Sequence, residues 1–273
     1  LRGGAGTRHA LAEGLAADCF VLGEPTELEL ATSHAASMVL RINVLGRMKH
    51  FATVEVAGAK GANAAEMASR VVLALGGSHR PQPRLGEGGW LSFEPRPGFE
   101  GLPQLNVGSM RAGISREFNT TRPALFPDFC SITVDVRTVP GMTKETVRAD
   151  LERLLDGLRA ELPELRYEID FTDDTFPLPF DAPRDSEVVR SVARAHREVN
   201  GTDATWSEVL RFAASDASWM GAAGMPGIIY GPTGRYLSRP DERCEVADLV
   251  RAARAYACVI ADICSRDRRE IRG

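Results

Sequence analysis

Residues 130–158 read CSITVDVRTVPGMTKETVRADLERLLDGL, and this stretch sets the fold of the middle of the chain. Cys130, Ile132, Val134 and Val136 alternate with Ser131, Thr133, Asp135 and Arg137. A period of two marks a strand with one buried face. After the Pro-Gly break, Thr143 stands where a helix N-cap belongs. Val147, Leu151, Leu154, Leu155 and Leu158 then share one face of an amphipathic helix.

The same periods extend outward. In SMVLRINVLG, Met38, Leu40, Ile42 and Val44 alternate with Arg41 and Asn43, a half-buried strand. GANAAEMASRVVLAL places Ala64, Met67, Ala68, Val71, Val72 and Leu75 on one helical face. Residues 76–103 read as a Pro/Gly-rich loop with one short strand at Trp90 to Phe93. LNVGSM is strand-like, and RYEIDF puts Tyr167, Ile169 and Phe171 on one face. The order strand–helix–strand–strand–helix–strand over residues 36–172 predicts the ferredoxin-like βαββαβ unit: four antiparallel strands with two helices on one face.

The flanks read differently. Residues 1–30 give a helix around Arg8 to Leu15 and a strand ending at Gly23. Beyond the Pro-rich TFPLPFDAP come a helix over 185–199, a strand near 205–211 and a short helix from Ser215 or Asp216. The strand MPGIIYGP and a long helix over 245–264 follow. Helices alternating with buried strands imply an α/β domain. The fold class expected is therefore a partial α/β catalytic-type domain, residues 1–35 and 173–273, into which the α+β unit 36–172 is inserted. One strand and one helix make too small a first half, and the chain opens on Leu1 with no signal-peptide pattern, so it is expected to be cut from something longer.

Composition narrows the function classes. The chain has 273 residues, 44% of them hydrophobic, enough for a sizeable core. A net charge of −4 gives no electrostatic footprint for nucleic acid. There is no apolar run of membrane-spanning length. Cysteines fall at 19, 130, 244, 258 and 264, without a C-x-x-C pair, which points to reduced thiols in a cytoplasm. Cys130 reads as strand core, and Cys258 and Cys264 as helix filler.

Several positions have the chemistry of a site. In VLGEPTELEL, residues 21–30, Glu24 sits where a buried strand ends, fixed between Gly23 and Pro25. In open α/β sheets ligands bind at the carboxyl ends of strands. Glu24 is thus either a solvated turn residue or a ligand carboxylate. His50 follows a strand within GRMKH, and a loop imidazole is open to many roles. Ser215 and Asp216 begin a helix, where N-capping accounts for them fully. GPTGRYLSRPDE puts Gly231, Pro232 and Glu242 at another strand end, although Asp241 and Glu242 also suit the first turn of the last helix. GGAGT at 3–7 lacks the G-K-[ST] ending and a preceding strand, so it reads as a turn, not a phosphate loop.

Taken in order, AADCFVLGEPTEL, GRMKH with GANAAEMASRV, PDFCSITVDVRTVPG and SDASWMGAAGMPGIIYGPTGRYLSRPDE resemble the zinc-dependent aminoacylase, acetylornithine deacetylase and succinyl-diaminopimelate desuccinylase family of metallopeptidases. These motifs span nearly the whole chain. The resemblance implies a metal-dependent hydrolase of amide bonds, acting on N-acyl amino acids or small peptides. It implies Zn²⁺, or Co²⁺ or Mn²⁺, in the complete enzyme, and a homodimer formed through the inserted lid. It makes Glu24 a metal ligand and His50 the lid histidine that stabilises the oxyanion. It assigns substrate contacts to Arg137, Asn119 and Gly231. It also marks departures. Ser238 stands where the family has a metal-binding histidine, Ala124 stands at the expected lid Asn with Asn119 nearby, and the other metal ligands and the general-base Glu lie upstream of the G-E-P-T stretch. By this reading the chain alone is inactive. The rival reading is a non-catalytic dimerisation or interaction protein that keeps the fold.

Overall fold

The structure is a computed structural model that describes residues 4–53, 61–76, 80–119, 124–172, 176, 178–207, 212–234 and 240–267. The chain divides into two compact units. One comprises Leu1–Ser37, Arg96–Glu100 and Phe176–Gly273, the other Met38–Pro95 and Gly101–Thr175.

The first unit carries helix α1 (Ala5–Ala12), strands β1 (Phe20–Leu22) and β2 (Ser33–His34) and, later in the chain, β7 (Phe180–Asp181). Helices α4 (Glu187–Asn200) and α5 (Ala217–Ala222), strand β8 (Gly227–Ile229) and helix α6 (Val246–Cys264) complete it. β1 pairs in parallel with β8, Leu22 opposite Ile229, and β2 pairs antiparallel with β7. The apolar GII of β8 is buried on both faces, as parallel strands between helices are. On one face Ile228 and Tyr230 pack with Val188 and Val192 of α4 and Ala255 and Val259 of α6. On the other Ile229 packs with Phe20, Phe180, Ala217 and Met225. Expected strand 205–211 is reduced, within the described residues, to a parallel bridge of Trp206 to Leu30, and residues 208–211 lie outside them. Cys264 is exposed, not filler, because the end of α6 turns it away from the core. Among the described residues, no helix is long and apolar enough to cross a membrane.

α4 and α6 are also joined by charge. Glu187 accepts from Arg190, Arg194 and Arg266 at 2.8–2.9 Å. Asp262 accepts from Arg194 at 2.6 Å and Ser191 at 2.7 Å. Arg194 foremost, with Arg190 and Arg266, holds the Glu187 carboxyl below its usual range. Arg194 and then Ser191 do the same for Asp262. A depressed carboxyl stabilises the fold in full above its unfolded value, roughly 4, and loses that contribution as pH falls through the lower folded value. Acid titration followed by thermal melts should therefore show stability declining below about pH 4. Asp262→Asn should flatten that decline, and an unaltered slope would count against the clamp.

The second unit holds β3 (Ala36–Leu45), α2 (Ala64–Leu75), β4 (Gln104–Gly113), β5 (Phe129–Thr138), α3 (Lys144–Leu158) and β6 (Arg166–Phe171). Its sheet runs β4-β5-β3-β6. β3 pairs antiparallel with β6, Ile42 opposite Ile169, and β4 antiparallel with β5, with a register shift between Val107 and Ser109. Met38, Leu40, Ile42 and Val44 of β3 and Cys130, Ile132, Val134 and Val136 of β5 are all buried, as their alternation requires. α2 begins at Asn63, whose side chain accepts the Ala65 and Glu66 N–H groups. α3 begins at Thr143 in a reciprocal capping box with Thr146. Two expectations are corrected. Residues Trp90 to Phe93 form no strand: Leu91 makes an isolated bridge to Arg84, and the segment is docked by side chains. Asn43, expected on the solvent face, is buried because its amide donates to Asp170 at 2.9 Å.

Candidate active site

Parallel pairing brings the carboxyl ends of β1 and β8 side by side, and the G-E-P-T turn is bound to the residues after β8. The Tyr230 N–H donates to the Leu22 carbonyl at 2.9 Å, and the Leu28 N–H to the Gly231 carbonyl at 2.8 Å. Thr26, buried, accepts the Gly231 N–H at 3.0 Å and donates its hydroxyl to the Glu29 carbonyl at 2.7 Å. Glu27 and Leu28 take left-handed conformations, φ 59° and 61°, to bring these groups round. A Cβ on Gly231 would lie 2.2 Å from the Glu24 carbonyl oxygen, so the position admits only glycine. The Glu24 backbone is thus fixed from both strands.

The Glu24 side chain is half buried. Burial first, and the Asp216 charge second, raise its pKa. Asp216 is thus a carboxylate whose charge acts on Glu24. The N-capping account of Asp216 fails: it precedes α5, yet its side chain makes no capping bond. Instead Oδ2 accepts from the Thr7 hydroxyl of α1 at 2.9 Å, while Oδ1 is buried without a hydrogen-bond partner among the described residues. Ser215 takes the place nearest the helix, its Oγ 3.4 Å from the Ala217 N–H. The stretch SDAS alone could not show this division of labour, because Thr7 is 209 positions away.

His50, Asn119 and Arg137 lie in the second unit, and each can be placed there. His50 is exposed and stacks on Phe51, ring centroids 5.5 Å apart. Its Nδ1 accepts the Ala52 N–H at 3.2 Å, so the neutral ring carries its proton on Nε2. Asn119 closes the loop from Ile114 by paired backbone bonds of 3.0 Å, and its amide donates to Glu117 at 3.1 Å. Arg137, on β5 opposite Gln104, donates to Asp135 at 2.9 Å. Ser238 lies outside the described residues.

The sequence profile of peptidase family M20/M25/M40 matches residues 2–262. The chain belongs to that family. A succinyl-diaminopimelate desuccinylase of Hydrogenovibrio crunogenus is 26% identical over 132 residues, 48% of this chain and 32% of that protein. The aminopeptidase PepT of Bacillus cereus superposes with a TM-score of 0.67 at 16% identity, over 96% of this chain and 62% of that one. A tripeptidase of Staphylococcus aureus gives 0.68 at 15% identity, over 97% and 62%. The structural likeness establishes a mixed α/β fold shared with these peptidases, and the chain spans less than two thirds of each relative's length. The names of these M20 relatives are those of amide-bond hydrolases.

M20 enzymes are generally metal-dependent. Among the described residues no three of His, Cys, Asp and Glu converge as a metal site would require. Glu24 and Asp216 supply oxygen donors from two residues, and a catalytic zinc takes three protein ligands. The described residues therefore do not make a metal centre.

Proposed function

We propose that this chain supplies the fixed carboxylates and the lid of an amide-bond hydrolase that acts on N-acyl amino acids or small peptides. The observation that carries the reading is Glu24, its backbone locked at the joined ends of β1 and β8. Strand ends of an α/β sheet are where such enzymes hold substrate, and the family match supplies the reaction class. The second unit, with sheet order β4-β5-β3-β6, is proposed as the ferredoxin-like lid. Its His50, with the ring proton on Nε2, suits donation to an oxyanion. Arg137 and Asn119 are proposed to contact substrate, and Gly231 to shape the floor under it. β4 ends the sheet and exposes Met110, which supports pairing of two lids across that edge. Five free cysteines fit a reducing compartment such as the cytoplasm.

The purified 273-residue chain is expected to show no zinc-dependent hydrolysis of N-acetyl amino acids, since its described donors fall short of a zinc site. The product of the whole gene, assayed with the same substrates, should hydrolyse them and lose about 100-fold on Glu24→Gln, the scale of losing one group that stabilises the transition state. A second reading, a non-catalytic interaction protein, is favoured by the short donor set alone. An inert whole-gene product that still dimerises would establish that reading instead.

A further inference from the structure

His34 is fully buried on β2, opposite Phe180 of β7. Its Nδ1 lies 2.7 Å from the Ala35 carbonyl oxygen. A carbonyl only accepts, so Nδ1 carries the proton and Nε2 of the neutral ring is an acceptor. Ser215 Oγ lies 2.8 Å from Nε2, and in the neutral ring its hydroxyl donates there. Ser215 is itself buried, so neither group is positioned to meet a substrate. The two join β2 to the first turn of α5 across 181 positions of sequence.

Because the hydroxyl proton is committed to His34, the free lone pairs of Ser215 Oγ face the α5 start, where Ala217 N–H lies 3.4 Å away. The Asp216 side chain makes no bond to its own helix. Its main chain is held: Trp219 N–H donates to the Asp216 carbonyl at 3.0 Å and Ser218 N–H to the Ser215 carbonyl at 3.1 Å. The carboxylate is left to reach Thr7 with one oxygen and leave the other without a partner among the described residues. A buried polar pair could be exchanged for apolar groups of the same shape at little cost in stability. What the polar pair adds is direction.

We propose that His34 is a positioning residue of the carboxylate site, orienting Asp216 through the hydroxyl of Ser215. The proposal rests on the reading that Asp216 belongs to the site with Glu24, but its test needs no catalysis. In the 273-residue chain labelled with ¹³C, Ser215→Ala should move the carboxyl resonance of Asp216 at constant pH. The amides of Trp219 and Met220, which donate to the Asp216 carbonyl, should exchange about tenfold faster, the equivalent of one lost hydrogen bond. Amides of β8 and α6 should not change. His34→Gln, whose amide oxygen can still accept from Ser215, should keep the parent resonance, and His34→Leu should move it as Ser215→Ala does. An unmoved resonance in Ser215→Ala, acceleration of equal size throughout β8 and α6, or a Gln variant shifted as far as the Leu variant would each overturn the proposal. Should His34→Leu not fold, Ser215→Ala decides alone.

Discussion

Gly231→Ala is expected to destabilise the chain by about 3 kcal/mol, the upper part of the range for forcing a methyl into a packed site. The added carbon would lie 2.2 Å from the Glu24 carbonyl oxygen and 3.0 Å from the carbonyl carbons of Glu24 and Gly23. These are backbone atoms, so no side-chain rotation relieves the contact. Gly231 cannot retreat freely either, since its N–H is held by Thr26 and its carbonyl by Leu28. Relief requires the end of β1 to part from the end of β8, which would also displace Glu24. Urea unfolding checks the cost. Gly157→Ala in α3 is the control: nothing lies within 4 Å of its added carbon, and removing a helix glycine should gain about 0.5–1 kcal/mol. A Gly231→Ala midpoint equal to the parent's would mean that the two strand ends are not locked together as described.

Elements with a strict period were the most legible in the sequence. The alternation of β5 and the face of α3 are reproduced in burial, with Val147, Leu151 and Leu155 inside, because a period is set by neighbours along the chain. Thr143 could be named as a cap for the same reason: its partner Thr146 is three residues on. The place of Glu24, in the turn that follows β1, was legible because Gly23 and Pro25 flag that turn on either side. What could not be read depends on distant partners. Asp216 looks like a helix cap until Thr7 is beside it, and His34 carries no signal in TSHAAS, since its meaning lies in Ser215. Asn43 obeyed the alternation and still misled, because the carboxylate of Asp170 on the paired strand accepts its amide and lets a polar residue stay inside. The segment at Trp90 misled in the opposite way: its apolar residues are buried by side-chain docking and not by a sheet ladder.

That docking makes Asp150→Ala the second large effect, also about 3 kcal/mol, from two hydrogen bonds to one charged group. Asp150 faces inward from α3 and is 2% exposed. Its Oδ2 accepts the Ser92 N–H at 2.6 Å and its Oδ1 the Ser92 hydroxyl at 2.8 Å. Trp90 and Leu91 are buried just before Ser92, and the Trp90 indole N–H donates to the Leu75 carbonyl at the end of α2 at 3.1 Å. One carboxylate therefore ties an irregular segment to α3, while its neighbour closes α2. Removing it strands the Ser92 N–H in a partly buried place and releases the two apolar side chains. Arg153 also bonds Asp150, at 2.9 Å, but half of it is in water, so freeing that charge should add little. Asp150→Asn keeps one acceptor and should cost about half as much. Ser92→Ala removes the hydroxyl but keeps the N–H, and a double-mutant cycle with Asp150→Ala should return a coupling of about 1 kcal/mol. Chemical denaturation gives these energies, and hydrogen exchange at the Ser92 amide reports the local release. If Asp150→Ala left both the midpoint and that amide unchanged, the Trp90 segment would be held by apolar burial alone and the carboxylate would have no part in it.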